Sequence, residues 1–268
     1  MSDPVPEDVA RALAATSRRR GCFGDPIYFF SETPSTNDVA ATLAEHGAPE
    51  GATVFASSQT AGRGRFGRRW FSPPGAGLYV SIVCRHESAA PFVTLAGGVA
   101  VAEGIRAATG LPVQIKWPND VVAEDSSPLR RRKLAGILAE ASTSADGLQY
   151  VILGFGINLR PAAYPPELSD RATSIEAELG RTADGAAVLA ETLTAFDRWF
   201  LQLSRGDSRG LLARWRELAP SSRGAVLEWD TPHGVVQGIS AGLADDGALL
   251  VRVHDRIERI ISGELRWK

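Results

Sequence analysis

Apolar residues recur at helical spacing in five stretches of this chain and form short alternating or continuous blocks elsewhere. Val9 to Ala15 predicts a short amphipathic helix, after which SRRRGCFGDP connects to a strand over Ile27 to Phe30. Ser35 or Thr36 is expected to cap a second helix running through Ala44, with Asp38 placed as in a capping box and Gly47 closing it. Thr53 to Ser57 and Leu78 to Cys84 read as strands, Pro91 to Thr109 as a helix, and Val113 to Trp117 as a strand ended by Pro118, with Asn119 and Asp120 making the turn. Val121 to Ala123, Lys133 to Glu140 and Tyr150 to Asn158 are three further strands, joined by the polar insert EDSSPLRRR and the turn TSADG. Connections this short favour an antiparallel meander over parallel units with crossover helices.

Two helices follow, over Ala183 to Leu203 and Leu211 to Leu218, whose buried faces place Phe196, Trp199 and Trp215 in the core. From about Arg223 the texture changes to short strands with glycine turns. This is the pattern of a small β-barrel of roughly fifty residues, near the lower limit for independent stability and so expected to pack on the larger unit. The expected organisation is one domain over residues 1–221 and a second over 222–268.

Composition narrows the classes. At 268 residues, 44% hydrophobic and 22% charged, the chain suits a globular protein with one large and one smaller domain. Its start, MSDPVPEDVARAL, carries acids and prolines where a secretory signal would be basic and apolar, and no apolar run reaches membrane-spanning length, so a cytoplasmic protein is expected. Cys22 and Cys84 are too few for a disulfide framework, and His46, His86, His233 and His254 are scattered without ligand-like spacing, which argues against a structural zinc site. A net charge of -2 leaves no footprint for general nucleic-acid binding. Any contact with a polyanion must be local.

Such a locus exists in GRGRFGRRW, Gly62 to Trp70, where four arginines share a glycine-hinged loop and no acid occurs between Glu50 and Glu87. Unanswered arginines repel one another unless an anion, or an acidic face elsewhere in the fold, supplies the missing charge. The planar guanidinium fork holds carboxylate or phosphate at two points. The letters also match a dinucleotide fingerprint, but Pro73 and Pro74 follow too soon for the helix that fingerprint must open. A mobile loop folding over a ligand accounts better for the glycines; a solvated basic loop bonded to acids elsewhere is the plainer alternative.

Four other segments carry candidate chemistry. On motif alone Ser35-Thr36-Asn37 is best read as simple capping, and Lys116-Trp117-Pro118-Asn119-Asp120 fits an ordinary turn that happens to present an ammonium, an amide and a carboxylate. In KLAGILAE, Lys133 opens an apolar strand and Gly136 leaves room for close approach, while GFGIN sets Gly154 and Gly156 inside a strand, where a bulge is the alternative. Walker, kinase and G-x-S-x-G motifs are absent from the sequence.

Taken in order, Ser35-Thr36-Asn37, Gln59 with GRGRFGRRW, KWPND, KLAGILAE and GFGIN resemble the motif set of the biotin protein ligases, also called biotin-[acetyl-CoA-carboxylase] ligases, over residues 27–160. The resemblance implies an α+β fold, a mixed, mostly antiparallel sheet flanked by helices as in class II aminoacyl-tRNA synthetases, followed by a Src-homology-3-like barrel. It implies ATP and biotin as substrates with Mg2+, formation of biotinyl-5′-AMP, and transfer to a lysine of a biotin carboxyl carrier protein. It further implies that Ser35, Thr36, Asn37, Gln59, Gly62, Arg63, Lys133, Gly136 and Gly156 bind biotin, and that Arg65, Arg68, Trp70, Asn119, Lys133 and Asn158 hold the nucleotide. Lys133 and Arg65 would be catalytic, with Asp120 orienting the incoming lysine; Arg266 or Lys268 would reach the triphosphate. The DNA-binding domain of the family's bifunctional members has no counterpart in this sequence, so no DNA partner is expected, nor a membrane one, and the basic residues Arg130 to Arg132 are a departure from the family pattern.

Two rivals remain at this level. A lipoate-protein ligase would show histidine in its glycine-rich loop rather than arginines. A nucleic-acid module clamping phosphates with Arg63 to Arg69 would need more interleaved aromatics than Phe66, Trp70 and Phe71.

Overall fold

Two sheets organise the chain, and the larger is covered on both faces. The computed structural model describes residues 2–123, 131–162, 164–231 and 234–268; Arg130 in the basic insert and His233 lie outside the described residues. Among the described residues, the elements run α1 (Glu7–Thr16), β1 (Ile27–Phe30), α2 (Thr36–Glu45), β2 (Thr53–Ala56), β3 (Gly77–Cys84), α3 (Val93–Thr109), β4 (Val113–Lys116), β5 (Asp120–Ala123), β6 (Lys133–Ser144) and β7 (Gly147–Asn158). They continue with α4 (Pro166–Ser169), α5 (Ile175–Leu179), α6 (Gly185–Ser204), α7 (Arg209–Leu218), β8 (Arg223–Thr231), β9 (Gly234–Leu243), β10 (Leu249–Val253), β11 (Arg256–Ile260) and β12 (Leu265–Trp267).

The first sheet has the order β1-β2-β3-β7-β6-β5-β4; β1 and β2 are parallel and every other pair antiparallel. Strand alternation divides its side chains between two helical layers. Val54, Val83 and Ile152 pack with Ala40 and Ala44 of α2, whereas Phe55, Ile82 and Leu153 join the main core under α3. Because both faces are covered, β3 is apolar almost throughout and buried at every position. The second sheet, β11-β10-β9-β8-β12, is antiparallel throughout, and its Leu227, Leu249 and Val251 belong to the same core cluster as the large sheet. Trp117 Nε1, just beyond β4, donates to Gly247 O at 3.1 Å, and Arg216 Nη2 of α7 to Leu243 O at 2.9 Å, tying the small sheet to the larger unit.

Helix α3 lies between the large sheet and α6. Two of its glycines make that possible: a Cβ on Gly97 would meet Leu153 Cδ1 at 2.8 Å, and one on Gly104 would meet the Thr192 backbone nitrogen of α6 at 2.7 Å. Residues 87–109 are, by length and composition, apolar enough to cross a membrane, contrary to the sequence expectation. They form instead a core element, with Val99, Val101, Ala102 and Ile105 fully buried, because a helix packed on both sides must be apolar all round.

Several boundaries differ from expectation for local reasons. β6 and β7 form one hairpin closed near Gly147, absorbing the segment read as a turn; Ser142 to Ser144 are polar because that end of the hairpin is solvent-facing. Pro91 sits in a 3-10 turn over Glu87–Phe92, and α3 starts only at Val93. α6 begins at Gly185, with the Asp184 side chain accepting Ala187 N at 3.0 Å. The capping box at α2 does not form: the Ser35 side chain makes no cap bond, Asp38 turns to Arg63, and Gln59 Oε1 accepts Thr36 N at 2.8 Å. The short helices α4 and α5 have too few turns to leave a periodic signal.

The Gly104→Ala variant is expected to lose about 1–3 kcal/mol, because its new methyl group would meet the Thr192 hydroxyl at 2.2 Å and the Thr192 backbone at 2.7 Å, and the backbone cannot move aside. A urea or thermal melt reads this as a lowered midpoint; a midpoint equal to wild type would show that α3 and α6 can part without cost.

Candidate functional site

The polar ends of the central strands, the start of α2, the loop 62–70 and the C-terminal residues enclose a cavity of about 1240 Å³. Its walls include Ser35, Thr36, Asn37, Gln59 and Arg63 on one side and Arg65, Arg68, Trp70, Asn119 and Asp120 on another. Lys133, Gly136, Gly156 and Asn158 complete the set, so the structure gathers fourteen of the fifteen residues expected from sequence around one space; Gly62 stands behind the wall, its carbonyl accepting Trp70 N at 2.9 Å.

The floor is built by strand pairing. Gly136 of β6 lies opposite Gly156 of β7 in the ladder, and the Trp70 indole fills the gap that these two residues leave. A Cβ on Gly156 would stand 2.3 Å from Trp70 Nε1. The close approach inferred from the glycines is therefore made by the loop's own aromatic ring, whose buried Nε1 has no hydrogen-bond partner. The loop is anchored rather than helical: a 3-10 turn spans Arg65–Gly67, with Phe66 at φ 57°, and Gly64 N donates to Arg68 O at 2.7 Å. No helix opens at the glycines, as the two prolines required.

The four arginines divide. Arg63 bonds Asp38 and, at 2.8 Å through Nη2, Glu140; Arg68 bonds Glu264 in the segment before β12. The expectation of a cluster without countercharge is thus corrected for these two, which acids remote in sequence neutralise. Arg69 donates to Thr60 O at 3.0 Å. Arg65 turns inward, its Nη1 3.4 Å from Asn119 Oδ1, and burial lowers its pKa from the ordinary value while Asp120 partly offsets that. Held by an amide and no carboxylate contact, it retains its charge for a ligand.

Lys133 opens β6, its backbone N donating to Arg171 O at 2.7 Å and its carbonyl accepting Thr173 N at 3.0 Å. Its ammonium is 2.6 Å from Asp120 and 5.1 Å from the centre of the Trp70 ring. Asn119 does two jobs: Nδ2 donates to Ile137 O at 2.8 Å, and the backbone carbonyl accepts Ile137 N at 2.9 Å, fixing the turn that presents Asp120. Asn158 Nδ2 donates to Thr173 O at 3.0 Å and so steadies the segment beyond β7. Among the C-terminal candidates, Arg266 bonds Asp230 at 2.7 and 3.0 Å and Lys268 lies 3.1 Å from Glu228; both line the cavity.

Sequence reasoning passed over Lys116, Ser81 and Arg171. Lys116 lines the cavity opposite Asp120 in the β4-β5 register, and burial lowers its pKa against the pull of Asp120, with Lys133, Arg131 and Arg171 lowering it further. Its place in KWPND was the available signal. Ser81, fully buried, sends its hydroxyl between Thr36 Oγ1 at 2.8 Å and Asn37 Oδ1 at 2.6 Å; a lone polar residue within the apolar run of β3 was the clue. Chemically, one end of the cavity offers uncharged donors and acceptors, and the other gathers Arg65, Lys133, Lys116 and one carboxylate. Among the described residues no group of three or more His, Cys, Asp and Glu side chains stands ready for a metal ion.

Comparison with known proteins agrees on one family. Residues 29–158 match the biotin/lipoate A/B protein ligase family and residues 230–265 the biotin protein ligase C-terminal domain. The chain is 35% identical to a biotin--[acetyl-CoA-carboxylase] ligase of Paracoccus denitrificans, covering 83% of this chain and 92% of that one. It is 33% identical to the bifunctional ligase/repressor BirA of Bacillus subtilis, over 90% of this chain and 74% of the relative. Among solved structures, the biotin protein ligase of Aquifex aeolicus in complex with biotin and ATP superposes with a TM-score of 0.75 at 27% identity, covering 90% of this chain and 98% of that one.

Substituting Gly156→Ala is expected to expel the Trp70 ring and loosen the loop, since the new methyl group cannot coexist with the indole. Limited trypsin digestion should then cut at Arg63 to Arg69 several-fold faster than in wild type, roughly the effect of losing one aromatic anchor. An unchanged digestion rate would mean that the indole does not hold the loop down.

Proposed function

Because this chain belongs to the biotin protein ligase family, we propose that it joins biotin to ATP as biotinyl-5′-AMP, releasing pyrophosphate, and passes the biotinyl group to a lysine of the biotin carboxyl carrier protein of a biotin-dependent carboxylase. The observation that carries the proposal is the cavity's division: a neutral polar end at Thr36 and Gln59, suited to the ureido ring, and a cationic end at Arg65 and Lys133.

The reaction brings two anions together, biotin carboxylate and α-phosphate, so its first requirement is positive charge fixed in advance. Lys133 bridges the two groups, and Arg65 neutralises charge that builds on the phosphoryl oxygens as pyrophosphate departs. Catalysis is then positioning and electrostatics, with no protein nucleophile. Trp70 and Arg68 close over the adenylate, Asn119 and Asn158 hold the nucleotide side, and Ser35, Asn37, Arg63 and the backbone near Gly62, Gly136 and Gly156 complete the biotin side. In the second step the acceptor amine attacks the acyl carbon, AMP leaves, and Asp120 orients the ammonium and takes its proton. Lys133 must release Asp120 for this, and the α-phosphate is the anion that draws it away. Arg266 or Lys268 reaches the triphosphate only by leaving Asp230 or Glu228.

Mg2+ enters as part of the nucleotide substrate, held by its phosphates. The use of ATP and the two unpaired cysteines support a cytoplasmic setting for this reaction. Residues 1–221 form the catalytic domain in this reading and 222–268 close the cavity from below. Lipoate ligation is the second reading in chemistry, but the match over residues 230–265 and the arginine-bearing loop favour biotin. A nucleic-acid clamp is not favoured, since Arg63 and Arg68 are engaged by carboxylates over a cavity.

Incubation with labelled ATP and either biotin or lipoate should give an adenylate with biotin alone. The Lys133→Ala and Arg65→Ala variants should each slow its formation by on the order of a hundredfold or more while remaining folded. Biotin-dependent pyrophosphate exchange at the wild-type rate in either variant would remove that residue from the mechanism, and an adenylate formed with lipoate instead would reverse the substrate assignment.

A further inference from the structure

A single carboxylate outside the cavity joins two parts of its wall. Glu140, on β6, does not line the cavity, yet its Oε2 accepts Asn37 Nδ2 at 2.6 Å and Arg63 Nη2 at 2.8 Å. Asn37 is 6% exposed and stands at the start of α2; Arg63 is the first arginine of the loop. The bond to Glu140 fixes which way the Asn37 amide faces, because its nitrogen must meet the carboxylate and its oxygen then meets Ser81 Oγ at 2.6 Å. Gly154 supplies the room: a Cβ there would lie 2.1 Å from Asn37 Oδ1.

From Ser81 the connection continues. Ser81 Oγ lies 2.8 Å from Thr36 Oγ1, Thr36 donates to Gln59 Oε1 through its backbone N at 2.8 Å, Gln59 Nε2 donates to Ser72 Oγ at 3.0 Å, and Ser72 donates to Trp70 O at 3.2 Å. Both ends of the loop, Arg63 and Trp70, are thus bound into one hydrogen-bonded chain running behind the neutral polar end of the cavity. Glu140 is its only charged member besides Arg63 and Asp38 among these named groups.

We propose that Glu140 is a positioning residue for biotin: by holding Asn37 and Arg63 on one oxygen, it sets the geometry of the neutral subsite and docks the start of the loop against it. The proposal rests on the biotin reading above. The energetic weight falls on Asn37. The side chains of Arg63 and Glu140 are 41% and 43% exposed, and ion pairs that open to water contribute little, whereas the buried amide nitrogen of Asn37 finds its acceptor among the described residues in Glu140.

The test is steady-state pyrophosphate release by the full chain, with saturating hydroxylamine present to take the biotinyl group from the adenylate and free AMP, and with biotin and ATP varied separately, for wild type, Glu140→Ala and Glu140→Gln. In Glu140→Ala the KM for biotin should rise about tenfold or more, the equivalent of one lost charged hydrogen bond, while the KM for ATP and kcat stay within about twofold. Glu140→Gln keeps an acceptor for Asn37 and should restore the KM for biotin to within about threefold of wild type, since only the exposed ion pair is lost. An unchanged KM for biotin in Glu140→Ala, a parallel rise in both KM values, or equal behaviour of the two variants overturns the proposal. Should Glu140→Ala fail to fold, Ser81→Ala provides the same reading from the next link, with a selective rise in the KM for biotin expected and its absence overturning the proposal. Wild-type chain that releases pyrophosphate with no biotin dependence would sink the functional reading itself, a result distinct from active wild type with indifferent variants.

Discussion

Glycine opposite glycine in the β6-β7 ladder is the constraint on which the site rests, because a side chain at either Gly136 or Gly156 would occupy the place of the Trp70 ring. With the ring seated, a loop rich in glycine and arginine gains a fixed end close to Lys133, and the ammonium lies against an aromatic face instead of open water. β7 is buried from Tyr150 to Asn158, so the floor beneath Gly156 does not yield.

Charge is distributed to match that mechanical division. Arg63 and Arg68 hold the loop to acids at its two flanks, one on the large sheet and one beside the small sheet. These are exposed pairs of modest strength and can be exchanged for ligand contacts without a large penalty. Arg65 and Lys133 face inward, where fewer waters compete and each fixed charge acts more strongly on an anion. The Lys133 pair with Asp120 holds the ammonium at the cavity wall, beside the Trp70 ring. The small sheet contributes Glu264, Arg266 and Lys268 to the same rim, which gives it a part in the cavity as well as in the core.

Residues close in sequence were legible as chemistry, and residues brought together from afar were not. KWPND and KLAGILAE pointed to Lys133, Asn119 and Asp120 only as parts of an ordered motif set, because each segment alone also fits an ordinary turn or an exposed lysine opening a strand. The partners of the arginine loop stayed hidden: Arg63 and Glu140 are 77 positions apart, and Arg68 and Glu264 are 196 apart. The same holds at the start of α2, where local pattern favoured a Ser35 cap with Asp38 in support. Gln59, 23 positions on, accepts Thr36 N instead, and Asp38 is left to bind Arg63. A cap is a short-range inference, and a long-range acceptor displaced it.

Hydrophobic periodicity was enough to place the helices α1, α3, α6 and α7, the strands from β1 to β7, and the change of texture at Arg223, since each reflects burial of one face or both. The spacing of charges along the chain showed separately that the arginines needed an anion or acids from elsewhere in the fold. Periodicity carries no information on which strand lies beside which beyond the hairpins, so the pairing of β3 with β7 and the opposition of Gly136 to Gly156 required the folded chain. Nor does it say which acid meets which base: the loop that looked unanswered in one dimension is half answered in three, because attraction between charges follows distance through space and not separation along the backbone.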